Sequence, residues 1–346
     1  MRLGVDGKCL LPPRAGIARY LEGVLEGLEA LAPADLTVEV LQPRRPRRTL
    51  PWVVWDLRRA SARGLDVLHC PFYYPPPAAR CPVTVAIHDL LVLEHPEWFR
   101  PRWGNTLRAM IPRGARHADA VITGSRCGAD ALVATCGVPR ERIRLIGYGL
   151  DHRRFAPPGA AQVTATRRQF GLDRPYLLQV GAIEPRRGVD LAIAAAAAAR
   201  ATTPELELVL IGEPRAPVAA LDAPPPWLRR LGRVDDAALP ALYAGAEAVL
   251  APSRGEGFDF PVLEALACGA AVVASDIPVH VEHFAPAVEL FTAGNSEALA
   301  AAIERVRGDS ERRVRLGAAG PQLAHRFRWE EAARLHLELW REVARR

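Results

Sequence analysis

Lysine is almost missing from this 346-residue chain: Lys8 is the single example, and arginine supplies the other 44 basic residues. Such a skew reads as genome-wide codon bias, so an arginine standing where lysine would be expected carries little meaning of its own. Aromatic residues make up only 6%, and none interleave with basic clusters as nucleic-acid surfaces require. Nucleic acid is therefore not an expected partner. The six cysteines (Cys9, Cys70, Cys81, Cys127, Cys136 and Cys268) have no CxxC spacing, which argues against a zinc site and for buried free thiols in a reducing cytoplasm. No stretch approaches the ~20 apolar residues that span a bilayer. The N-terminus also lacks the basic-then-apolar pattern of a signal peptide. A cytoplasmic protein is expected, with a peripheral place at the inner membrane face left open.

What is present points to a folded, two-domain molecule. With 49% hydrophobic and 24% charged residues the chain reads as globular rather than disordered, and its length suits two cores better than one. Its charge is uneven. Residues 1–160 hold 23 basic and 15 acidic residues, a net +8, whereas the remainder holds 22 and 24, a net −2. The basic half is compatible with an anionic membrane surface, a lipid-phosphate acceptor or plain solubility. The sharpest run, Arg44, Arg45, Arg47 and Arg48 broken by Pro46, reads either as a solvated loop or as a contact with an anionic acceptor or membrane.

Short β-branched runs followed by turns and helical stretches recur along the chain. Strands are expected at 3–5, 37–41, 66–69, 83–88, 120–123 and 143–146. The pattern then restarts at 176–180, 206–211, 248–251 and 271–274, with a short strand near 288–291. Helices fit 17–31, 125–135, 189–199, 237–244, 262–268 and 296–306. Alternation of this kind implies parallel sheets covered on both faces. The expected division is residues 1–160, residues 161–325 and a C-terminal helix over 326–346, with Pro157-Pro158-Gly159 as a linker. The last helix could pack back on the first domain or cap the second. In doubly wound sheets ligands bind beyond the carboxyl ends of the strands, so the chemistry is sought just after each strand.

The strongest signal follows the strand at 248–251. It runs from Pro252 to Gly269 and contains Gly255-Glu256-Gly257-Phe258-Asp259, then Pro261 and Glu264. The glycines permit tight turns, Pro261 suits a first helical turn, and exposed amides at the helix start can hold a diphosphate without a metal. Eight residues separate the glutamates, up to ~12 Å of helical rise, so that one carboxylate could reach a sugar and the other a ribose.

Together these residues resemble the E-x7-E signature of the retaining glycosyltransferases of family 4, enzymes of the GT-B fold with two facing Rossmann-like domains. The resemblance implies that Glu256 contacts the transferred sugar, that Glu264 holds the ribose, and that Gly257 and Phe258 offer amides to the diphosphate. Asp259 stands where the family usually has glycine. Aspartate tolerates a positive φ better than most residues, but its carboxylate would repel a diphosphate unless it points away.

Other segments extend the resemblance over nearly the whole chain. Val180-Gly181-Ala182-Ile183-Glu184-Pro185-Arg186-Arg187-Gly188 is similar to the family's turn after the first strand of the second domain, where an Arg-Lys pair neutralises the donor diphosphate. Arg187 takes the lysine position. His88-Asp89, at the end of a strand, resembles the place of a histidine that meets the donor sugar, with Asp89 either orienting the imidazole or capping the next turn. Gly16, within Arg14-Ala15-Gly16-Ile17, matches a glycine loop near donor or acceptor. Thr123-Gly124-Ser125 and residues 147–155 match more loosely. Residues 231–236 resemble the stretch whose backbone near Val234 meets the base.

The reading is an α/β protein of the GT-B fold that transfers a glycosyl group with retention and without a metal or other cofactor. The donor would be GDP- or UDP-linked, with GDP-mannose favoured by similarity to mannosyltransferase-like members that build surface polysaccharides. The acceptor is unspecified, and domain closure would assemble the site. Three other readings stand beside it: a GT-B enzyme such as a sugar-nucleotide epimerase, a non-catalytic nucleotide-sugar-binding protein, and a basic surface-binding module.

Overall fold

A computed structural model of the chain describes residues 1–12, 16–43, 49–99 and 101–346. Arg14, Ala15 and the run at Arg44, Arg45, Arg47 and Arg48 lie outside the described residues. Two units form: Met1–Gly149 with Phe327–Arg346, and Leu150–Arg326. The first division falls ahead of Pro157-Pro158-Gly159, which belongs to the second unit.

The first unit holds six parallel strands: β1 (Arg2–Asp6), β2 (Thr37–Leu41), β3 (Val67–Cys70), β4 (Val83–Ala86), β5 (Ala120–Thr123) and β6 (Ile143–Leu145), in the order β2-β1-β3-β4-β5-β6. β3, β4 and β5 are buried along their full length, as the continuous apolar runs of a sheet covered on both faces require. One core includes Leu57, Leu68, Val85 and Val121 from helix and sheet, closed by Ile111 and Leu132.

The C-terminal helix, Trp329–Ala344, lies against the helix Gly16–Leu31 of the same unit. Their closeness depends on two glycines one turn apart: a Cβ on Gly23 would overlap the Trp329 ring, and one on Gly27 the Trp329 carbonyl. A buried polar chain then ties this helix to the sheet. Trp340 Nε1 donates to Thr84 Oγ1 (3.1 Å), which pairs with His69 Nδ1 (3.0 Å). His69 Nε2 meets the Tyr20 hydroxyl at 3.3 Å, and that hydroxyl meets His336 Nε2 at 2.7 Å. His336 Nδ1 donates to the Ala332 carbonyl (2.7 Å). That last bond fixes the sequence of donors, because it leaves His336 Nε2 as an acceptor for the Tyr20 proton.

The second unit has its own six parallel strands: β7 (Tyr176–Val180), β8 (Glu207–Ile211), β9 (Leu228–Gly232), β10 (Ala248–Ala251), β11 (Val272–Ser275) and β12 (Glu289–Phe291). Their order is β12-β11-β10-β7-β8-β9. The chain enters at the centre, builds outward to β9, then returns to the other side of β7. This is the strand order of dinucleotide-binding sheets. The alanines of the helix Val189–Ala199 keep that helix close to its neighbours, and Ala192, Ala195, Ala196 and Ala199 are buried in a core with Leu208, Leu210 and Ile303. β9 is absent from the strands expected from sequence. Its Arg229-Arg230 pair breaks the apolar pattern because the strand is the sheet edge and only half-buried.

Among the described residues, no helix is long and apolar enough to cross a membrane. All six cysteines are free; Cys70, Cys136 and Cys268 are buried.

Candidate functional site

The return of the second sheet from β9 to β10 leaves β7 and β10 side by side where the strand order reverses, the place at which doubly wound sheets form their binding crevice beyond the carboxyl ends of the strands. The loop after β7 carries Glu184, Arg186 and Arg187; the loop after β10 carries Ser253, Arg254, Glu256 and Asp259. The two loops are joined by their backbones, since the Arg254 amide donates to the Arg186 carbonyl (2.7 Å). Arg254 also forks onto both oxygens of Asp190 (2.9 and 2.6 Å), a two-point pairing that fixes orientation as well as charge. Gly188, at φ +65°, closes the short turn Pro185–Arg187, and any Cβ there would collide with the Pro252 carbonyl.

Charges converge in this crevice. Arg186 Nη1 donates to Glu256 Oε2 (2.8 Å) and to the Gly255 carbonyl (3.2 Å), while its Nε lies 2.7 Å from Glu184 Oε1. Arg187 Nη1 stands between two carboxylates, 2.8 Å from Glu256 Oε1 and 2.9 Å from Asp259 Oδ1. The Ser253 hydroxyl donates to Glu256 Oε1 (2.8 Å), and the Glu256 side chain is only 5% exposed. Burial acts to raise the Asp259 carboxyl, but Arg187 and His280 outweigh it and hold it at about 2. Two buried polar atoms near this cluster, Arg187 Nε and Gln179 Oε1, have no protein partner. Both residues line a small cavity together with Ser253 and Asp259.

The helix after this loop runs Phe260–Ala267 with Pro261 in its first turn. Glu256 lies in the loop ahead of it, so helical geometry does not relate the two glutamates as the spacing suggested. Glu264 is buried and accepts the Tyr243 hydroxyl (3.0 Å). Gly255 and Gly257 stay outside the left-handed region, whereas Asp259 enters it, at φ +83° and ψ 72°. The Phe258 ring is buried against Phe260, His283 and Phe284. Val234 lies after β9, beside Arg154, Arg233 and Asp236 around an open depression.

In the first unit, His88 follows β4 and has both ring nitrogens engaged. Nε2 donates to the Pro71 carbonyl (2.9 Å) and Nδ1 accepts the Tyr148 hydroxyl (2.8 Å), while burial lowers its pKa and favours the neutral ring. Asp89 caps rather than orients: Oδ1 accepts the Leu91 amide (3.1 Å) and Oδ2 the Tyr73 hydroxyl (3.0 Å). Gly16 begins its helix, exposed, and a Cβ added there would meet nothing within 4 Å. Among the described residues, no three His, Cys, Asp or Glu side chains are placed to hold a metal ion.

Sequence reasoning missed His280, Tyr243 and Tyr148 as partners. Asp259 itself was the available signal for the first, since a carboxylate placed beside a diphosphate-binding loop calls for a cation, but nothing in the sequence says which one.

Comparison with known proteins bears on both units. The family profile described as Glycosyltransferase Family 4 matches residues 18–154, and that described as Glycosyl transferases group 1 matches residues 163–323. A D-inositol 3-phosphate glycosyltransferase of Salinispora arenicola is 30% identical over 249 residues, 65% of this chain and 55% of that protein. The O-antigen chain mannosyltransferase B of Escherichia coli is 26% identical over 303 residues, 85% of this chain and 77% of that protein. The chain thus spans about half the length of the inositol-phosphate enzymes it matches. The structure of Anabaena HepE, solved with UDP and glucose, superposes with a TM-score of 0.76 at 20% identity, over 99% of this chain and 100% of that one. With two doubly wound sheets and a family profile matched in each unit, this chain belongs to the family 4 glycosyltransferases of the GT-B fold.

Proposed function

We propose that the chain transfers a hexosyl group from a nucleotide-sugar donor to an acceptor in polysaccharide or glycoconjugate assembly, with retention and without a metal. The observation that carries this reading is the half-buried gathering of Arg186, Arg187 and Glu256 at the carboxyl ends of β7 and β10. Two guanidinium groups at the switch point of a dinucleotide-type sheet suit a diphosphate, and they offset the charge that grows on it as the sugar leaves. The amides near Gly257 and Phe258 add to the same anion site. Glu256, held by Ser253 and Arg186, is assigned to the transferred sugar, Glu264 to the ribose and the backbone near Val234 to the base.

HepE was solved with UDP and glucose, and the Escherichia coli relative is a mannosyltransferase; a UDP- or GDP-linked hexose fits both, with GDP-mannose the first candidate. We assign the acceptor side to the basic first part of the chain, at the cytoplasmic face of a membrane or on an anionic acceptor.

A thermal-shift panel of nucleotide sugars with chelator present tests the donor and the metal together. A ligand at a hundred times its Kd adds ~2.7 kcal/mol of stability, so the true donor stands out. Glu256→Gln is expected to cut transfer by roughly a hundredfold or more while nucleotide binding persists. Undiminished transfer by that variant would remove Glu256 from the chemistry.

A further inference from the structure

Asp259 is held in an unusual way. Among the described residues of the second unit it is the one non-glycine with a left-handed backbone, φ +83°, and its side chain is 2% exposed. Both carboxylate oxygens are committed, Oδ1 to Arg187 Nη1 (2.9 Å) and Oδ2 to His280 Nε2 (3.2 Å). His280 is wholly buried on the helix Pro278–Phe284. Its other nitrogen, Nδ1, lies 3.0 Å from the Ser275 carbonyl. The Ser275 hydroxyl gives its proton to the Ser253 carbonyl (2.6 Å) and so has none for the ring. Each nitrogen of His280 therefore faces an acceptor, and only the doubly protonated ring satisfies both.

The remaining charged and titratable groups around this pair are Arg187 and Glu256 on the crevice side, with Arg186 behind Glu256, and Glu282 and His283 on the helix of His280 itself. One carboxylate is thus shared between two cations. If His280 loses a proton, the whole charge of Asp259 turns on Arg187 and competes with any anion that the guanidinium binds.

We propose that Asp259 and His280 are positioning residues that hold Arg187 in the crevice and set its attraction for a nucleoside diphosphate, protonated His280 keeping that attraction strong. The inference rests on the assignment of Arg187 to the donor diphosphate. Asp259 then does not repel the phosphates, because it points into the protein and its charge is spent on His280 as well as on Arg187.

The test is the binding of UDP and of GDP, by calorimetry between about pH 6 and about pH 9, to the wild type, Asp259→Gly and His280→Gln. Glycine accepts the φ at 259, and glutamine keeps a neutral donor toward Asp259. The ratio of wild-type to Asp259→Gly affinity cancels the ligand's own ionisation. That ratio is expected to fall as pH rises, on the order of tenfold, one pK unit of coupling between neighbouring charges. His280→Gln should stay at the weak, high-pH level throughout. A flat ratio overturns the proposal. Imidazole nitrogen shifts give a readout that needs no ligand: His280 is expected to carry a proton on each nitrogen wherever the wild-type advantage over Asp259→Gly is high, as the acceptors facing both nitrogens require. A singly protonated ring, with nucleotide binding intact, sinks this inference alone. Failure of the wild type to bind either nucleotide sinks the donor reading, and with it any role toward a diphosphate.

Discussion

Burial acts on single residues of the first unit in a way that pH can reveal. His336 sits inside the contact between the C-terminal helix and the sheet, and burial lowers its pKa to about 4, with a carbonyl bond from Ala332 opposing. His69, in the same chain of hydrogen bonds, is also lowered, again by burial first. A base with a depressed pKa in the folded state is protonated earlier in the unfolded chain, so unfolding takes up protons and stability falls as pH drops. The loss for His336 runs from about pH 6.5 to about pH 4 and amounts to roughly 3 kcal/mol. Chemical denaturation followed by tryptophan fluorescence should show it, and His336→Gln should remove the share due to His336 and leave that of His69. A wild-type profile already flat over that range would place His336 elsewhere.

At the scale of elements, two small-residue contacts decide how closely segments approach. Gly23 and Gly27 let the helix Gly16–Leu31 lie directly under Trp329. Gly23→Ala inserts a methyl group into the indole ring, and the forced shift should cost about 1–3 kcal/mol, seen as a lower melting temperature. Gly16→Ala is the matched control for stability, because its Cβ meets nothing within 4 Å; a change within about 0.5 kcal/mol is expected. Loss of transfer in a stable Gly16→Ala protein would then report a role for that position in function. The reverse outcome, a tolerated Gly23→Ala, would mean that the helix pair is loose enough to take up the extra methyl.

For the molecule as a whole, the relevant quantity is the net charge of +6 with its surplus in residues 1–160. A basic half attracts anionic surfaces over about 10 Å, and salt screens that attraction. Replacing Arg44, Arg45, Arg47 and Arg48 by glutamine should weaken sedimentation with phosphatidylserine vesicles at low salt and leave nucleotide affinity unchanged. Equal vesicle binding by both proteins would return that run to a solvated loop, and loss of nucleotide affinity would move it to the donor side.

Much of this was legible in order along the chain. Continuous apolar runs at β3, β4, β5 and β10 declared strands buried on both faces, and the restart at Tyr176 declared a second sheet. Glu256, Arg186 and Arg187 stood after the right strands because local pattern fixes where a strand ends. The edge strand β9 was not legible, since half-burial lets arginines interrupt its pattern, nor was the long helix Pro101–His117, which carries Pro112 inside it. What tertiary structure alone decided is which distant groups meet. The C-terminal helix packs in the first unit because Gly23 and Gly27 leave room for Trp329, hundreds of residues away in sequence. Asp259 turns inward because Arg187 and His280 arrive from other segments to share its charge. Periodicity and turn chemistry act between near neighbours and are written in the sequence; the pairing of a buried charge depends on chain segments brought together only by the finished fold.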